Sequence, residues 1–540
     1  MTPIASAVIL LTLSTPPSGS DTLAFAQEQP VVQAKNDKKK PAEKPRKPNF
    51  TISRDTTYVT APIDKDGYID YEAVLNEKLR QGVTPDNNAV VLLFKAFGPR
   101  PDGTEIPPEF FAWLKMPVPP AKGDYFVQLQ QHVKERFKEY WSPEANKLYD
   151  RAEKAGARPW SAKEYPEIAD WLKRNEKPLA IVIEASRRSH YYYPQVAKRT
   201  NGKRESLITA GMQGVQACRG LASALTCRAM QRVAEKRYDE AWQDLLACHR
   251  LGRLVGRGGT LIDGLVGVAI TDIATEADLA FLDGAKRTAG QLKSALKDLQ
   301  NLGPLPKLAD QIGLTERFWF LEAVMRVDQD AGAIDDLVNG PNPNRARQMP
   351  QTSFPWDATL RRGNQYYTRM SQAMRLHDRT MRSKQLAMIE QEIASLRVTT
   401  TPRGMLEALV ASDGPGDFIA KLIGDRLISL LIPALSRIQE RSDRAEQVQH
   451  NLHIAFALAA YKSDQGRYPA KLDALAPKCL AVVPPDLFTG KPLIYRPTET
   501  GYLFYSVGVN GQDEQGRTYS DDPRGDDLAV RMPLPKQQQK

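Results

Sequence analysis

The longest helical pattern of the sequence runs from Leu207 to Asn301, and it constrains the fold more than any other feature. Within it, Leu221 to Leu254 has the pattern of a helical hairpin, with small residues on the first helix, a polar turn, and Ala241 and Trp242 opening the second helix. This arrangement is typical of a tetratricopeptide-type unit, but no second copy follows at the required period of about 34 residues. The sequence therefore predicts a mainly α fold, a multi-helix bundle with tetratricopeptide-like hairpins as one option.

Proline-rich breaks divide the rest of the chain. An N-terminal helical region is expected over residues 51–200, and its clearest helical segments are Ala89 to Phe97, Tyr125 to Trp141, Ser142 to Lys154 and Tyr165 to Asn175. The helical bundle follows over residues 201–398, with a loop at 339–356 that is rich in Pro and Asn and a helix from Trp356 to Leu396. A last region spans residues 417–540.

The first fifty residues have the composition of a leader and a linker. Ile4 to Leu13 is apolar, and Ala24-Phe25-Ala26 provides small residues suited to a cleavage site, so residues 1–26 resemble a secretory signal. Residues 27–50 are basic and rich in Pro and Lys, which favours a solvated linker because such a segment buries nothing. We expect an exported protein of the periplasm or cell envelope, with a disordered leader as the alternative.

Net charge and hydropathy limit the partners. The 540 residues contain 74 Lys and Arg against 64 Asp and Glu, a modest excess that is partly concentrated between Lys35 and Lys47. That basic tract has no interleaved aromatic residues to stack on bases, so no nucleic-acid partner is expected. The apolar run from Leu427 to Leu435 is too short for a transmembrane span, which needs about 20 residues. We expect a mature chain without a membrane-spanning helix.

The four cysteines leave one pairing open. They are Cys218, Cys227, Cys248 and Cys479, and none of them forms a C-x-x-C pair or a zinc-type spacing. In a helical hairpin, Cys227 and Cys248 would lie near the same level on facing helices. They are either bridged or two small buried core residues.

Three motifs stand out in the last ninety residues. They are AAYKSDQGRYP at Ala459 to Pro469, VPPDLFTG at Val483 to Gly490, and LFYSVGVNG at Leu503 to Gly511. Together they resemble the C-terminal half of the major pseudopilin of type II secretion, the protein G-type family. The resemblance covers residues 417–533 and implies a long helix from Asp417 to Ser463, a short helix from Ala470 to Ala476, and a small antiparallel sheet. No prepilin-peptidase site precedes the long helix, so the resemblance implies a pseudopilin-like α+β fold without filament assembly.

The composition of two segments predicts the hairpin of this sheet. Leu493 to Arg496 and Tyr502 to Val507 have strand character and are separated by a short turn. In the pseudopilin family, the loop after this hairpin binds calcium through a Gly-Pro-Asp-Gly turn and a later Asp-Asp pair. The resemblance implies calcium here too, although Asn510 replaces the charged ligand of the turn, and a solvated acidic loop is the alternative. The candidate ligands are Asn510, Asp513, Asp521, Asp522, Asp526 and Asp527.

No catalytic signature appears in the sequence. The one histidine pair at ligand spacing is His450 and His453, with Glu446 on the same helix face. Such a face could hold zinc, but a polar stripe on an exposed helix is expected. We therefore expect an envelope-associated interaction or scaffold protein whose partner is another protein or an envelope polymer. A hydrolase that acts on wall or surface polymers through paired carboxylates of the helical region is the alternative, because such carboxylates leave no local signature.

Overall fold

The computed structural model describes residues 47–200, 203–210, 214–330, 333, 354–396, 410, 414–432 and 434–535. The signal-like segment, nearly all of the basic linker and most of the loop expected at 339–356 lie outside these residues. The described chain is mainly helical, with a small three-stranded antiparallel sheet near its C-terminal end. The predicted class, a mainly α fold with a small C-terminal sheet, is confirmed at this level.

The helices and strands follow one another in three groups. The first group is α1 Tyr71–Leu79, α2 Ala89–Phe97, α3 Pro108–Trp113, α4 Leu129–Phe137, α5 Pro143–Ala157, α6 Pro166–Arg174 and α7 Glu176–Ala185. The second group is β1 Arg199–Thr200, β2 Lys203–Arg204, α8 Ala217–Ala234, α9 Tyr238–Gly256, α10 Leu261–Gly284, α11 Ala289–Gln300, α12 Ala309–Gln311 and, after a π-helical turn at Ile312–Glu316, α13 Arg317–Gln329. The third group is α14 Asp357–Met374, α15 Arg379–Leu396, α16 Pro415–Leu431, α17 Leu435–Gln465, β3 Ile494–Pro497, β4 Tyr502–Ser506 and β5 Leu528–Met532.

The predicted helical hairpin is present as α8 and α9, and α10 packs against both helices. Glycine makes the contact between α9 and α10 close, because a Cβ on Gly267 would lie 2.5 Å from the Cα of Gly256. A buried carboxylate joins α8 to α9. Asp244 is fully buried and accepts hydrogen bonds from the guanidinium groups of Arg228, at 2.7 and 3.0 Å, and Arg232, at 2.5 Å.

Cys227 and Cys248 are free, buried core residues. The Cys227 thiol donates to the Ala152 carbonyl oxygen at 3.3 Å, and the Cys248 thiol lies 3.8 Å from the Ile270 carbonyl oxygen. The two sulfur atoms therefore contact different helices, and of the two interpretations it is the unbridged one that the structure shows.

Side-chain caps fix several helix starts. Ser142 accepts a hydrogen bond from the amide of Ala145 at 3.1 Å, which places the start of α5 at Pro143. Thr260 and Asp263 form a reciprocal capping box at the start of α10. The glycine-rich segment 256–260 is accordingly an interhelical turn.

The C-terminal sheet is antiparallel in the order β3-β4-β5, with Tyr505 opposite Ile494 on one side and Ala529 on the other. The predicted hairpin is confirmed, whereas the third strand was not assigned from the sequence. Residues Leu452 to Ala460 of α17 are almost entirely buried. This half of α17 packs against α10, α11 and β5, so it belongs to the same hydrophobic core as the hairpin of α8 and α9.

Four expected helices differ from the structure. The single helix expected from Asp417 to Ser463 is two helices, α16 and α17, because Ile432 precedes Pro433 and is extended, at φ −87° and ψ 117°. The helix expected from Trp356 to Leu396 is divided into α14 and α15, since the side chain of Asp378 caps a new helix by accepting from the Met381 amide at 3.0 Å. The remaining two are shorter than expected: Tyr125 to Trp141 contains only α4, and Ala470 to Ala476 contains a 3-10 turn.

The chain forms two compact units. The larger one comprises residues 71–319, 366–391 and 434–540, and the smaller one comprises residues 1–70, 320–365 and 392–433. In the smaller unit, Asp328 is a buried hub that accepts hydrogen bonds from Asn49, the Tyr68 hydroxyl and the Trp356 indole at 2.8 to 3.1 Å. All features of the candidate site lie in the larger unit.

Candidate functional site

The acidic loop, residues 508–527, begins directly after β4 and returns to β5. Gly508 closes it: its φ is +70°, and a Cβ there would lie 2.3 Å from the carbonyl oxygen of Asp526. Only glycine meets both conditions without strain. The start and the end of the loop are thereby held against each other, which brings the Gly508 to Gly511 turn beside the Asp526-Asp527 pair.

Asp526 is the member of this loop that contacts a helix. One of its carboxylate oxygens lies 2.5 Å from the guanidinium of Arg444 on α17, and the other accepts from the backbone amide of Asn510 at 3.0 Å. Its own amide donates to the Glu514 carboxylate. Asn510 and Asp526 are therefore brought together, and an arginine already balances the charge of Asp526.

Asp527 lies deeper than its neighbour. One oxygen accepts from the amide of Gly516 at 2.7 Å, while the other is buried and has no hydrogen-bond partner. Burial raises the pKa of Asp527, and the nearby carboxylates of Glu514 and Asp513 raise it further. This side chain is the one in the loop whose surroundings favour an additional positive charge.

The other predicted ligands have local partners or none. Asp513 accepts from the Gln515 amide and the Tyr505 hydroxyl, both at 2.9 Å, and its pKa is lowered chiefly by the amide hydrogen bond. Asp521 pairs with Arg531 at 2.9 Å, which lowers the pKa of Asp521 to about 2. Asp522 is exposed. The structure thus brings Asn510, Asp513, Asp526 and Asp527 around Glu514, and it directs Asp521 to a different partner.

The fit of the loop to calcium is partial. The unpartnered oxygen of Asp527 suits a hard cation. The carboxylates of Asp513 and Glu514 lie near enough to repel the negative charge of Asp527. Arg444 and Arg531, however, already balance the charges of Asp526 and Asp521. Within the part of the chain that the structure describes, no group of three or more His, Cys, Asp or Glu side chains is placed to hold a metal ion. The loop offers one suitable oxygen and not a complete coordination shell.

A cluster of charged side chains extends from Arg444 along α10, and we call it the charged groove. It comprises Arg219 on α8, Asp272 and Glu276 on α10, and Arg441 and Arg444 on α17. Helix α10 packs against both α8 and α17. Arg441 pairs with Asp272 at 2.9 Å and so joins α17 to α10.

The two carboxylates of the charged groove have raised pKa values and remain accessible to solvent. The side chain of Asp272 is 35% exposed, yet the surrounding helices displace enough water to raise its pKa to about 6, and Arg441 and Arg444 only partly offset this. Glu276 lies one turn further along α10 and is exposed, but loss of hydration, followed by the charges of Asp272 and Glu153, raises its pKa to about 7. Both groups can therefore exchange protons near neutral pH.

Two charged side chains of the groove form no ion pair with another described side chain. Arg219 is exposed, and neither its guanidinium nor the Glu276 carboxylate forms an ion pair or a hydrogen bond with a described side chain. The pKa of Arg219 is lowered by partial burial and by the neighbouring charge of Arg441. The groove can accordingly bind a polar partner through one positive and one negative group, or transfer a proton through its carboxylates. Sequence reasoning missed it, although the spacing of Asp272 and Glu276 at i and i+4 places them on one face of the helix and was a usable signal.

The histidine stripe expected to be exposed on α17 is largely covered instead. Ring nitrogens of both His450 and His453 are buried without a hydrogen-bond partner, because α17 packs into the helical core. Burial lowers the pKa of His450, and it lowers that of His453 to about 4 with the help of nearby Arg253. Glu446 turns to the surface and pairs with Arg379 at 3.0 Å. The expectation of an exposed stripe was therefore wrong.

A second buried pair lies in the same part of the core. His249 on α9 contacts Asp278 on α10 at 2.5 Å, and both side chains are fully buried. Arg253 donates to Gln449 at 3.2 Å, and Gln449 donates to Thr275 at 2.8 Å. This network links α9, α10 and α17, but its burial keeps it from any substrate, so we assign it to stability.

Two pockets of the described surface have volumes of about 120 and 110 Å³, and the lining of neither contains two carboxylates. None of the described helices is long and apolar enough to cross a bilayer.

Compared with known proteins, the chain matches no family model, no curated protein and no solved structure.

Proposed function

We propose that the protein is an exported, envelope-associated interaction or scaffold protein that works by binding a partner, either another protein or an envelope polymer, in the charged groove. The observation that carries this proposal is that Arg219 and Glu276 are both exposed, carry opposite charges, and form no ion pair or hydrogen bond with a side chain among the described residues. Leaving exposed charges unpaired costs a protein little, and they become useful when a complementary surface approaches them. The signal-like start of the sequence supports an extracytoplasmic location.

We further propose that the C-terminal part is a pseudopilin-like module. A long helix, α17, followed by a three-stranded antiparallel sheet and an acidic loop agrees with the arrangement that the resemblance implies. The buried half of α17 packs against α10 and α11, so the module is anchored in the helical core. The hairpin of α8 and α9 is compatible with a tetratricopeptide-like unit that supplies one wall of the groove.

Charge reversal in the groove tests the binding proposal. Full-length wild-type protein and the Arg219→Glu and Glu276→Lys variants would be expressed in the source cells and co-purified from cross-linked envelope fractions. We expect a discrete partner with the wild type and its loss in both variants, while Lys384→Glu, a reversal of an exposed charge on α15, retains it. Equal recovery of the partner by all four proteins would contradict a role for the groove.

A hydrolase is the second candidate, because Asp272 and Glu276 have pKa values of about 6 and 7. Such values suit a general acid and a general base near neutral pH. Purified wall and surface polymers would be incubated with the wild type, Asp272→Asn and Glu276→Gln, and released reducing ends would be measured. Turnover by the wild type that falls at least about a hundredfold in either variant would support hydrolysis, and absence of turnover would favour binding alone.

We also propose that calcium binds at the acidic loop, through Asp527 and the neighbouring oxygens of Asn510, Asp513 and Asp526. Calorimetric titration of the full-length chain is the test, with the Asp526→Ala and Asp527→Ala double variant and with Asp522→Ala as a matched control. Binding that disappears in the double variant and persists in the control would support the site. An absence of binding heat, together with a melting profile that calcium and chelator leave unchanged, would contradict it.

A further inference from the structure

Trp141 is exposed to an extent that the fold does not explain. Its side chain is 68% exposed, more than any other aromatic side chain among the described residues, and the adjacent Tyr140 is 41% exposed. A large aromatic ring left in water forgoes the free energy that burial would provide. Clusters of exposed apolar groups on a folded protein commonly mark a binding surface.

The local structure holds these rings in place. Ser142 caps α5 and Pro143 occupies its first turn, so the backbone that follows Trp141 is fixed. Tyr149, two turns into α5, donates its hydroxyl hydrogen to the carbonyl oxygen of Tyr140 at 3.3 Å. Its ring centroid lies 5.5 Å from that of Trp141, with 44° between the planes. Tyr140, Trp141 and Tyr149 therefore form a preorganised surface, which we call the aromatic platform.

The charge around the aromatic platform is balanced. Residues 134–150 contain four basic and four acidic side chains, so this surface does not attract anionic lipid or nucleic acid in the way that a basic patch does. The Lys134 ammonium lies 4.7 Å from the centroid of the Tyr140 ring and covers one of its faces. Asn146 and Lys147, five and six residues after Trp141 on α5, have exposed polar side chains.

A neutral ligand with both apolar faces and hydroxyl groups matches this combination. The C–H face of a sugar ring can pack flat on an indole, while its hydroxyls take hydrogen bonds from amide and ammonium groups. We propose that the aromatic platform binds a neutral oligosaccharide or polysaccharide chain. The aromatic platform shares no residue with the charged groove, and the proposal does not depend on what the groove binds.

Binding of defined sugars to the full-length protein tests the proposal. Hexamers of N-acetylglucosamine, β-1,4-linked glucose, α-1,4-linked glucose and mannose would be titrated while intrinsic tryptophan fluorescence and binding heat are followed. We expect at least one hexamer to bind and Trp141→Ala to weaken its affinity at least about tenfold, as truncation of an aromatic anchor does in other interfaces. Tyr519→Ala, which removes a 50% exposed aromatic ring in the acidic loop, should leave the affinity unchanged.

Three outcomes would overturn the proposal: no hexamer binds the wild type at millimolar concentration, Trp141→Ala binds as the wild type does, or Trp141-dependent binding occurs only to phosphatidylglycerol vesicles. A thermal melt of each variant accompanies the titrations. Because the Trp141 ring is mostly in water, its removal should leave the melting temperature nearly unchanged. Trp141→Phe keeps a flat ring and should recover part of the lost affinity.

Discussion

Acidification should destabilise the protein through His453. This side chain lies on α17 with a buried ring nitrogen that has no partner, and the charges of His450, Arg253 and His249 act on it. Burial lowers its pKa from 6.5 to about 4, and the groups named above add to this shift by repelling a proton on the ring. At neutral pH the ring is uncharged in both the folded and the unfolded state, so it contributes no pH dependence there.

The sign and the size of the effect follow from this shift. As the pH falls below about 6.5, the unfolded chain takes up the proton first, and folding stability is lost until the folded protein also protonates near pH 4. A difference of about 2.5 pKa units at about 1.4 kcal/mol per unit corresponds to a loss of about 3.5 kcal/mol once the folded protein is also protonated. Asp272 and Glu276, whose pKa values are raised, act in the opposite direction. Their contribution cancels when a His453 variant is compared with the wild type.

Urea unfolding at a series of pH values between about 7 and 4.5 measures this difference. We expect the free energy of unfolding of His453→Gln, relative to the wild type, to rise by about 2 to 3 kcal/mol over that range. His377→Gln, which alters an exposed histidine, should show no such trend. Parallel pH profiles for the wild type and His453→Gln would refute the reasoning.

Three further predictions concern the core of the larger unit. Gly267→Ala should destabilise the protein by several kcal/mol, since a Cβ would meet backbone at 2.5 Å, whereas Gly290→Ala in α11 meets nothing within 4 Å and should be neutral or slightly stabilising in a thermal melt. Asp244→Ala should cost about 3 to 5 kcal/mol in urea unfolding, because it leaves two arginines without their buried partner, while Glu235→Ala removes a carboxylate that is 41% exposed and pairs with the similarly exposed Arg237, so it should cost less than about 1 kcal/mol. In native protein, Cys479 should react with a thiol reagent first, because the other three cysteines are buried, and a uniform rate for all four would contradict this packing.

Local signals in the sequence predicted much of the helical structure. The bounds of α2 agree with the apolar run from Ala89 to Phe97, and the hairpin of α8 and α9 was evident from its small residues and polar turn. These features depend on neighbours within a few positions, which is what periodicity and capping report. The break before α17 was missed because the apolar residues on both sides of Pro433 continue one pattern, although the proline itself disfavours a continuous helix.

Long-range pairings were beyond the reach of these signals. Asp272 and Arg441 are 169 residues apart in the sequence, yet they meet in the charged groove. The sequence also placed His453 on an exposed face, because the groups near it, His249 and Arg253, lie on α9, about 200 residues earlier in the chain. The acidic loop was identified as a cluster of carboxylates, but its ion pairs with Arg444 and Arg531 depend on where α17 and β5 pack.

Site-specific photo-crosslinking from the charged groove tests the central claim most directly. A photoreactive benzoyl-phenylalanine would replace half-buried Ser223, one turn after Arg219 on α8, so that the charges of the groove are kept, and the same residue would replace Lys384 as the control. After irradiation of intact source cells, we predict one discrete adduct in the envelope fraction from the groove position and none from the control position. An absence of any adduct at the groove, or adducts found only in the cytosolic fraction, would contradict an envelope protein that works by binding there.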